Sequence, residues 1–176
     1  MSIILPYNNI LPTISDKAWV APTASVIGEV EIGDGTGIWF GCTVRGDVND
    51  VKIGKRTNIQ DGTVIHVTRN VQGTYIGDEV TVGHMALLHA CTIEDRAFIG
   101  MGALVMDEAY IETNGMLAAG AMLTPGKRIK AGELWAGRPA KYWRDLTQEE
   151  LDFIPVSAEN YYRHVLEYQE MMAAPA

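Results

Sequence analysis

The chain has 176 residues, 47% of them hydrophobic and 20% charged, with a formal net charge of −8. That length buries a substantial core without metal or disulfide staples, and so apolar a composition excludes a disordered chain. No Lys/Arg cluster interrupts the acidic balance, which excludes the basic stripe of a nucleic-acid binder and, with it, attraction to an anionic membrane surface.

Met1–Asn9 has neither the basic start nor the apolar run of a leader, and nothing approaches the ~20 apolar residues of a membrane span. A cytoplasmic protein with no membrane partner is expected. Cys42 and Cys91 are isolated and read as buried thiols.

Met1–Lys17 reads as a short lead-in. From there aliphatic residues recur every six positions: Val20, Val26, Ile32, Ile38, Val44, then Ile53, Ile59, Ile65, then Ile76, Val82, Leu88. After a one-residue slip the series resumes at Ile93, Ile99, Val105, Ile111, Leu117, Leu123 and Ile129. Small residues fall four places later, as at Ala24, Thr36, Cys42, Thr57, Ala86 and Ala103.

A helix needs apolar residues at 3.6 spacing and an alternating strand at 2; period six fits neither as a whole. It fits a short strand plus a turn, repeated, with one aliphatic side chain inward each time. Three such hexads make one triangular coil, and stacking the coils buries a ladder that no hexad buries alone.

After Arg144 the signals turn helical. Thr147–Glu150 has capping-box spacing, and Ser157 stands as the N-cap of a second helix over Ala158–Met172. Tyr161, Val165 and Tyr168 share one face of that second helix, which predicts that it lies along the coil. The expected organisation is a lead-in over 1–17, a β-helix over 18–144 and C-terminal helices over 145–176, all in one domain.

Three of the four histidines fall within 24 residues. Counting Val44 to Ile53 as one step with three extra residues, and Ile65 to Ile76 as one step with a five-residue loop, stacks Val44, Ile65 and Leu88 in one column. Ile38, Ile59 and Val82 stack in another. Arg45, His66 and His89 then follow the first column; Phe40, Asp61 and His84 sit two places after the second. Adjacent coils lie about 4.8 Å apart, close enough for His66 and His89 to share a metal.

His84 belongs to a different face and points elsewhere. A three-fold oligomer would bring the second column of one subunit against the first column of the next. A second parse of Ile65 to Ile76, two steps with a deletion, moves His66 out of register with His89; the one-step parse is the one that yields a metal site. His164 reads as surface or packing.

From Val20 to Arg144 the period resembles the hexapeptide-repeat superfamily, and AGRPAKYWR (Ala136–Arg144) is similar to the segment that closes such coils. The resemblance implies a left-handed β-helix. VRGD (Val44–Asp47), NIQD (Asn58–Asp61), His66 and VGHMALLHAC (Val82–Cys91) narrow it to the γ-class carbonic anhydrases and their close relatives.

That resemblance implies a homotrimer with zinc held by His66 and His89 of one subunit and His84 of its neighbour, iron(II) or cobalt(II) suiting the same set. Three neutral imidazoles would leave one position for water, whose pKa falls to about 7, and the resulting hydroxide would convert CO₂ to bicarbonate. By the same resemblance Gln60 orients the nucleophile or CO₂, Asn58 supports it, Arg45 and Asp61 pair across the interface, and Asp47 positions Gln60 or that pair. The acidic proton relay of the best-known γ-class enzyme is missing, since Val48 follows Asp47 and the stretch after His66 carries Arg69.

Two other classes stay open. One is an acyl-CoA-dependent hexapeptide acyltransferase using a single His as base, or a thioesterase. The other is a metal-bearing trimer without catalysis.

Overall fold

The computed structural model describes residues 2–173. Short parallel strands stack into a solenoid with three faces. On the first, Ser25–Gly28, Thr43–Gly46, Val64–His66, Leu87–His89, Leu104–Val105 and Met122–Leu123 pair in order. The second runs through Val51–Ile53, Thr74–Ile76, Thr92–Ile93, Tyr110–Ile111 and Arg128–Ile129. The third runs through Trp19–Val20, Gly37–Ile38, Asn58–Ile59, Thr81–Val82, Phe98–Ile99 and Met116–Leu117 to the strand Glu133–Ala136. The strands Ser25–Ile32 and Thr43–Ile53 bend round a corner and serve two faces each.

The aliphatic columns are the core. Val44, Ile65, Leu88, Val105 and Leu123 are fully buried in one, and Ile38, Ile59, Val82, Ile99 and Leu117 in another. Each such side chain contributes roughly 1.5–3 kcal/mol by leaving water. Val44↔Ile65, Leu88↔Ile65, Ile38↔Ile59 and Val82↔Ile59 are Cα partners, as the column count predicts.

The small residues four places on fill the corners. Ala24, Ala86, Ala97 and Ala103 are buried, and the buried threonines bond turn backbone that would otherwise be unsatisfied. Thr36 Oγ1 donates to Gly54 O at 2.7 Å, and Thr57 Oγ1 to Gly77 O at 2.8 Å. Glycine after the aliphatic residue answers a packing limit: a Cβ on Gly54 would lie 2.6 Å from the carbonyl carbon of Gly77, and one on Gly83 would lie 2.7 Å from Met101 N.

The lead-in joins the stack, with Ile3–Leu5 pairing with Ser25–Ile27 and Thr13–Ile14 with Glu31–Ile32. At the other end Lys141–Asp145 pairs antiparallel with Glu133–Ala136 and covers that sheet edge.

The C-terminus departs from expectation in one respect. A single helix, Gln148–Ala173, replaces the two expected, running through Pro155 and through the supposed cap Ser157. The capping box at its start forms: Glu150 N donates to Thr147 Oγ1 at 3.2 Å and Thr147 N to Glu150 Oε2 at 2.9 Å. Continuity has a packing cause. Ile154, Ala158 and Val165 are buried and Tyr161 and Tyr168 pack on the solenoid, one unbroken stripe that overrides the local break. Ser157 is buried too, its hydroxyl 3.1 Å from that of Thr81.

Candidate metal centre

His66 and His89 end two adjacent strands of the first face and are Cα partners. After His66 the chain reaches the next face through the one-step insertion, closed by the bridge Thr68↔Gln72. Because period and register put both imidazoles at one corner, their rings meet: His66 Nδ1 lies 3.2 Å from His89 Nε2.

Their other nitrogens face carboxylates. His66 Nε2 is 3.0 Å from Asp47 Oδ1, and His89 Nδ1 is 2.7 Å from Asp107 Oδ1. A carboxylate only accepts, so a hydrogen bond to either aspartate needs the N–H on the ring nitrogen that faces it. With both N–H groups so placed, the two nitrogens that face one another would be lone-pair donors able to hold a cation between them. Their spacing matches one edge of a tetrahedral zinc site, about 3.3 Å for two bonds of 2.0–2.1 Å.

Arg45 pairs with Asp47 on the same corner. Burial pushes the Asp47 carboxyl up, but the bonds from His66 and Arg45 outweigh it and hold it below the usual range. Burial likewise raises Asp107, and the bonds from Thr68 and His89 bring it below its ordinary value. Both are carboxylates at neutral pH.

His84 lies on the other side of the triangle, in the turn after Thr81–Val82. Its Nδ1 is 2.9 Å from Asp61 Oδ2, and both side chains are half exposed. Within one chain, therefore, Asp61 faces His84 and Arg45 faces Asp47; Arg45 and Asp61 are not brought together. Among the described residues no three His, Cys, Asp or Glu side chains form a metal-holding group. Two-thirds of the expected ligand set is assembled and the third is on another face.

Gln60 and Asn58 are buried on the same side as His84. Asn58 Nδ2 donates to Thr81 Oγ1 at 3.0 Å and to Val80 O at 3.3 Å. Its Oδ1 is thereby turned to accept from Gln60 Nε2 at 3.0 Å. That leaves Gln60 Oε1 as the end of the amide free to accept a hydrogen bond. Gln60 and His84 share an apolar cavity of about 380 Å³ with Phe98, Met101, Met116 and Leu134. Asp61 borders a second, of about 490 Å³, with Trp39, Phe40, Tyr161, His164 and Tyr168. His164 is exposed on the helix, its ring edge-on to Trp39. Cys42 and Cys91 are buried free thiols, pushed by burial up to about 11 and about 12, and Cys42 Sγ donates to the backbone carbonyl of Gln60 at 3.1 Å.

Gamma carbonic anhydrase 1, mitochondrial, of Arabidopsis thaliana is 52% identical over 155 residues, 85% of this chain and 56% of the plant protein. The carbonic anhydrase of Geobacillus kaustophilus is 40% identical over 149 residues, 85% of this chain and 81% of that one. The chain belongs to the γ-class carbonic anhydrase family.

A hexapeptide transferase family protein from Anaplasma phagocytophilum has a solved structure at TM-score 0.91 and 48% identity, covering 94% of this chain and 98% of its own. The γ-class chain is thus a left-handed hexapeptide β-helix carrying one C-terminal helix. No family model matches it. The chain spans little more than half the length of the plant γ-class relatives it matches.

Motif reading missed Asp107, which stands outside every γ-class motif quoted above. The column count carries the signal: Leu88↔Val105 are partners, so the corner after Val105 lies one coil from His89, and Asp107 is the acid there.

Proposed function

We propose that this chain is a zinc-dependent carbonic anhydrase that hydrates CO₂ to bicarbonate as a homotrimer, with one metal per subunit at each interface. His66 and His89 would hold the metal from one subunit and His84 from the next, iron(II) or cobalt(II) fitting the same imidazoles. The observation that carries this reading is the pair of ring nitrogens 3.2 Å apart, each ring backed by an aspartate, with a third histidine on another face.

Zinc bound there supplies a Lewis-acidic centre that lowers the pKa of a coordinated water to about 7. The chain's own residues do the rest. Asp47 backs the His66 imidazole from outside the corner, and Asp61 faces His84 in the same way. Gln60, its amide turned by Asn58, presents Oε1 as an acceptor beside His84. The apolar walls around it give CO₂ a water-poor approach. Arg45 and Asp61, both partly exposed, would pair across the interface.

A second reading has one observation in its favour. The apolar cavity beside Gln60 and His84 is of a volume that suits an acyl group, and a structural relative is named a hexapeptide transferase family protein. Acyl-thioester hydrolysis or acyl transfer with no CO₂ hydration would establish it. Bound metal with neither activity would leave the non-catalytic trimer.

The shared site has a direct test. Neither His66→Ala nor His84→Ala homotrimers contain a complete three-histidine site. Refolded together at equal amounts, the His84→Ala chain offers His66 and His89 to the His84 of a His66→Ala neighbour. About a quarter of all sites become whole in a randomly assembled cyclic trimer. Tight zinc and CO₂ hydration should return to that fraction. Mixed trimers that recover nothing would refute the shared site.

A further inference from the structure

Asp107 sits one coil beyond His89, and its two oxygens do different things. Oδ1 meets His89 Nδ1 at 2.7 Å, while Oδ2 accepts from Thr68 Oγ1 at 2.5 Å. Thr68 opens the inserted loop, and its own carbonyl accepts from Asn49 Nδ2 at 3.2 Å. Each oxygen of the carboxylate is thus engaged, one by the His89 imidazole and one by the loop hydroxyl.

Its electrostatic setting differs from that of Asp47. Asp47 has Arg45 to offset its charge. Among the described residues Asp107 makes an ion-pair contact with His89 alone. An uncompensated carboxylate behind a ligand imidazole makes that imidazole a better donor to a dication. An imidazole can otherwise turn over about its χ2 axis and swap tautomers, which would put a protonated nitrogen where the metal needs a bare one.

We propose that Asp107 is a positioning residue that fixes the orientation and tautomer of His89, so that Nε2 faces the metal. The proposal rests on the three-histidine reading above, and its test is arranged so that the two can fail separately.

Four proteins are compared, each as the full chain: the unmodified protein, Asp107→Ala, Asp107→Asn and Thr68→Val. In the metal-free proteins, ¹⁵N NMR of the histidine rings reads the His89 tautomer. The unmodified protein and Thr68→Val should carry the proton on Nδ1, and Asp107→Ala should show a mixture. With zinc, competition against a chelator should show Asp107→Ala weakened by roughly 10–100-fold, the usual effect of losing an outer partner of a ligand histidine. Asp107→Asn keeps an acceptor oxygen and should fall between. The visible spectrum of the cobalt(II) form should change in Asp107→Ala and not in Thr68→Val.

An unchanged tautomer in Asp107→Ala overturns the proposal. So does a zinc loss in Thr68→Val as large as in Asp107→Ala, because the loop would then be the cause. Should the unmodified protein bind no zinc, the three-histidine reading fails, and the metal-free tautomer comparison still decides the role of Asp107.

Discussion

The hydroxyls of Thr81 and Ser157 meet at 3.1 Å, joining a strand of the third face to the C-terminal helix across 76 residues of sequence. Through Thr81 this contact continues to Asn58 and Gln60. The helix is thus tied to the amide beside His84 by a buried polar chain. Ser157→Ala removes the end of that chain and leaves a buried hydroxyl without its partner, a loss of about 1–3 kcal/mol. Denaturant unfolding should show that loss, with zinc content unchanged and CO₂ hydration reduced. A variant as stable and as active as the parent would show the tie to be incidental.

Proton release is the second test. Asp47 and Asp107 are engaged by histidines and Val48 and Arg69 carry no acid, so the proposed mechanism would release its proton to bulk buffer. CO₂ hydration by stopped flow should be slow and rise severalfold with buffer concentration at fixed pH. A fast, buffer-independent rate would mean that another residue relays the proton.

The helix start titrates. Arg144 and the amide of Thr147 hold the Glu150 carboxyl down at about 2. A carboxyl lowered on folding adds stability above its unfolded value, near 4.5, and loses it as pH falls toward 2. Glu150→Gln should lower stability at every pH above about 4.5, flatten the fall between those limits, and converge with the parent toward pH 2. Thr147→Ala should cost about 1 kcal/mol at neutral pH. Urea midpoints against pH measure both.

Core and site can be separated by two equal cavities. Leu88 and Leu123 are fully buried in the same column, Leu88 directly before His89 and Leu123 two coils further on. Either change to Ala should cost roughly 2–5 kcal/mol. Leu88→Ala should also weaken zinc binding, while Leu123→Ala should not. Equal zinc affinities in the two would show that the corner holds its shape without the column beneath it.

Much of the fold and part of the site were legible in the sequence, because in a solenoid position along the chain sets position in space. A period of six ties each residue to one face and one coil. Counting therefore found the columns, the five-residue insertion before Ile76 and the pairing of His66 with His89. The same count set His84 on a different face, from the residues alone.

Other features depended on contacts that the period does not encode. The helix runs on through Pro155 and Ser157 because the stripe from Ile154 to Tyr168 is covered by the solenoid, and burial outweighs two local stop signals. Which carboxylate faces which histidine is set by side-chain reach across a corner: Asp47 turned to His66, Asp61 to His84, and Asp107 came in from the next coil. Those choices turn on side-chain torsion angles and on distances of a few ångströms. They existed only once the coils were stacked.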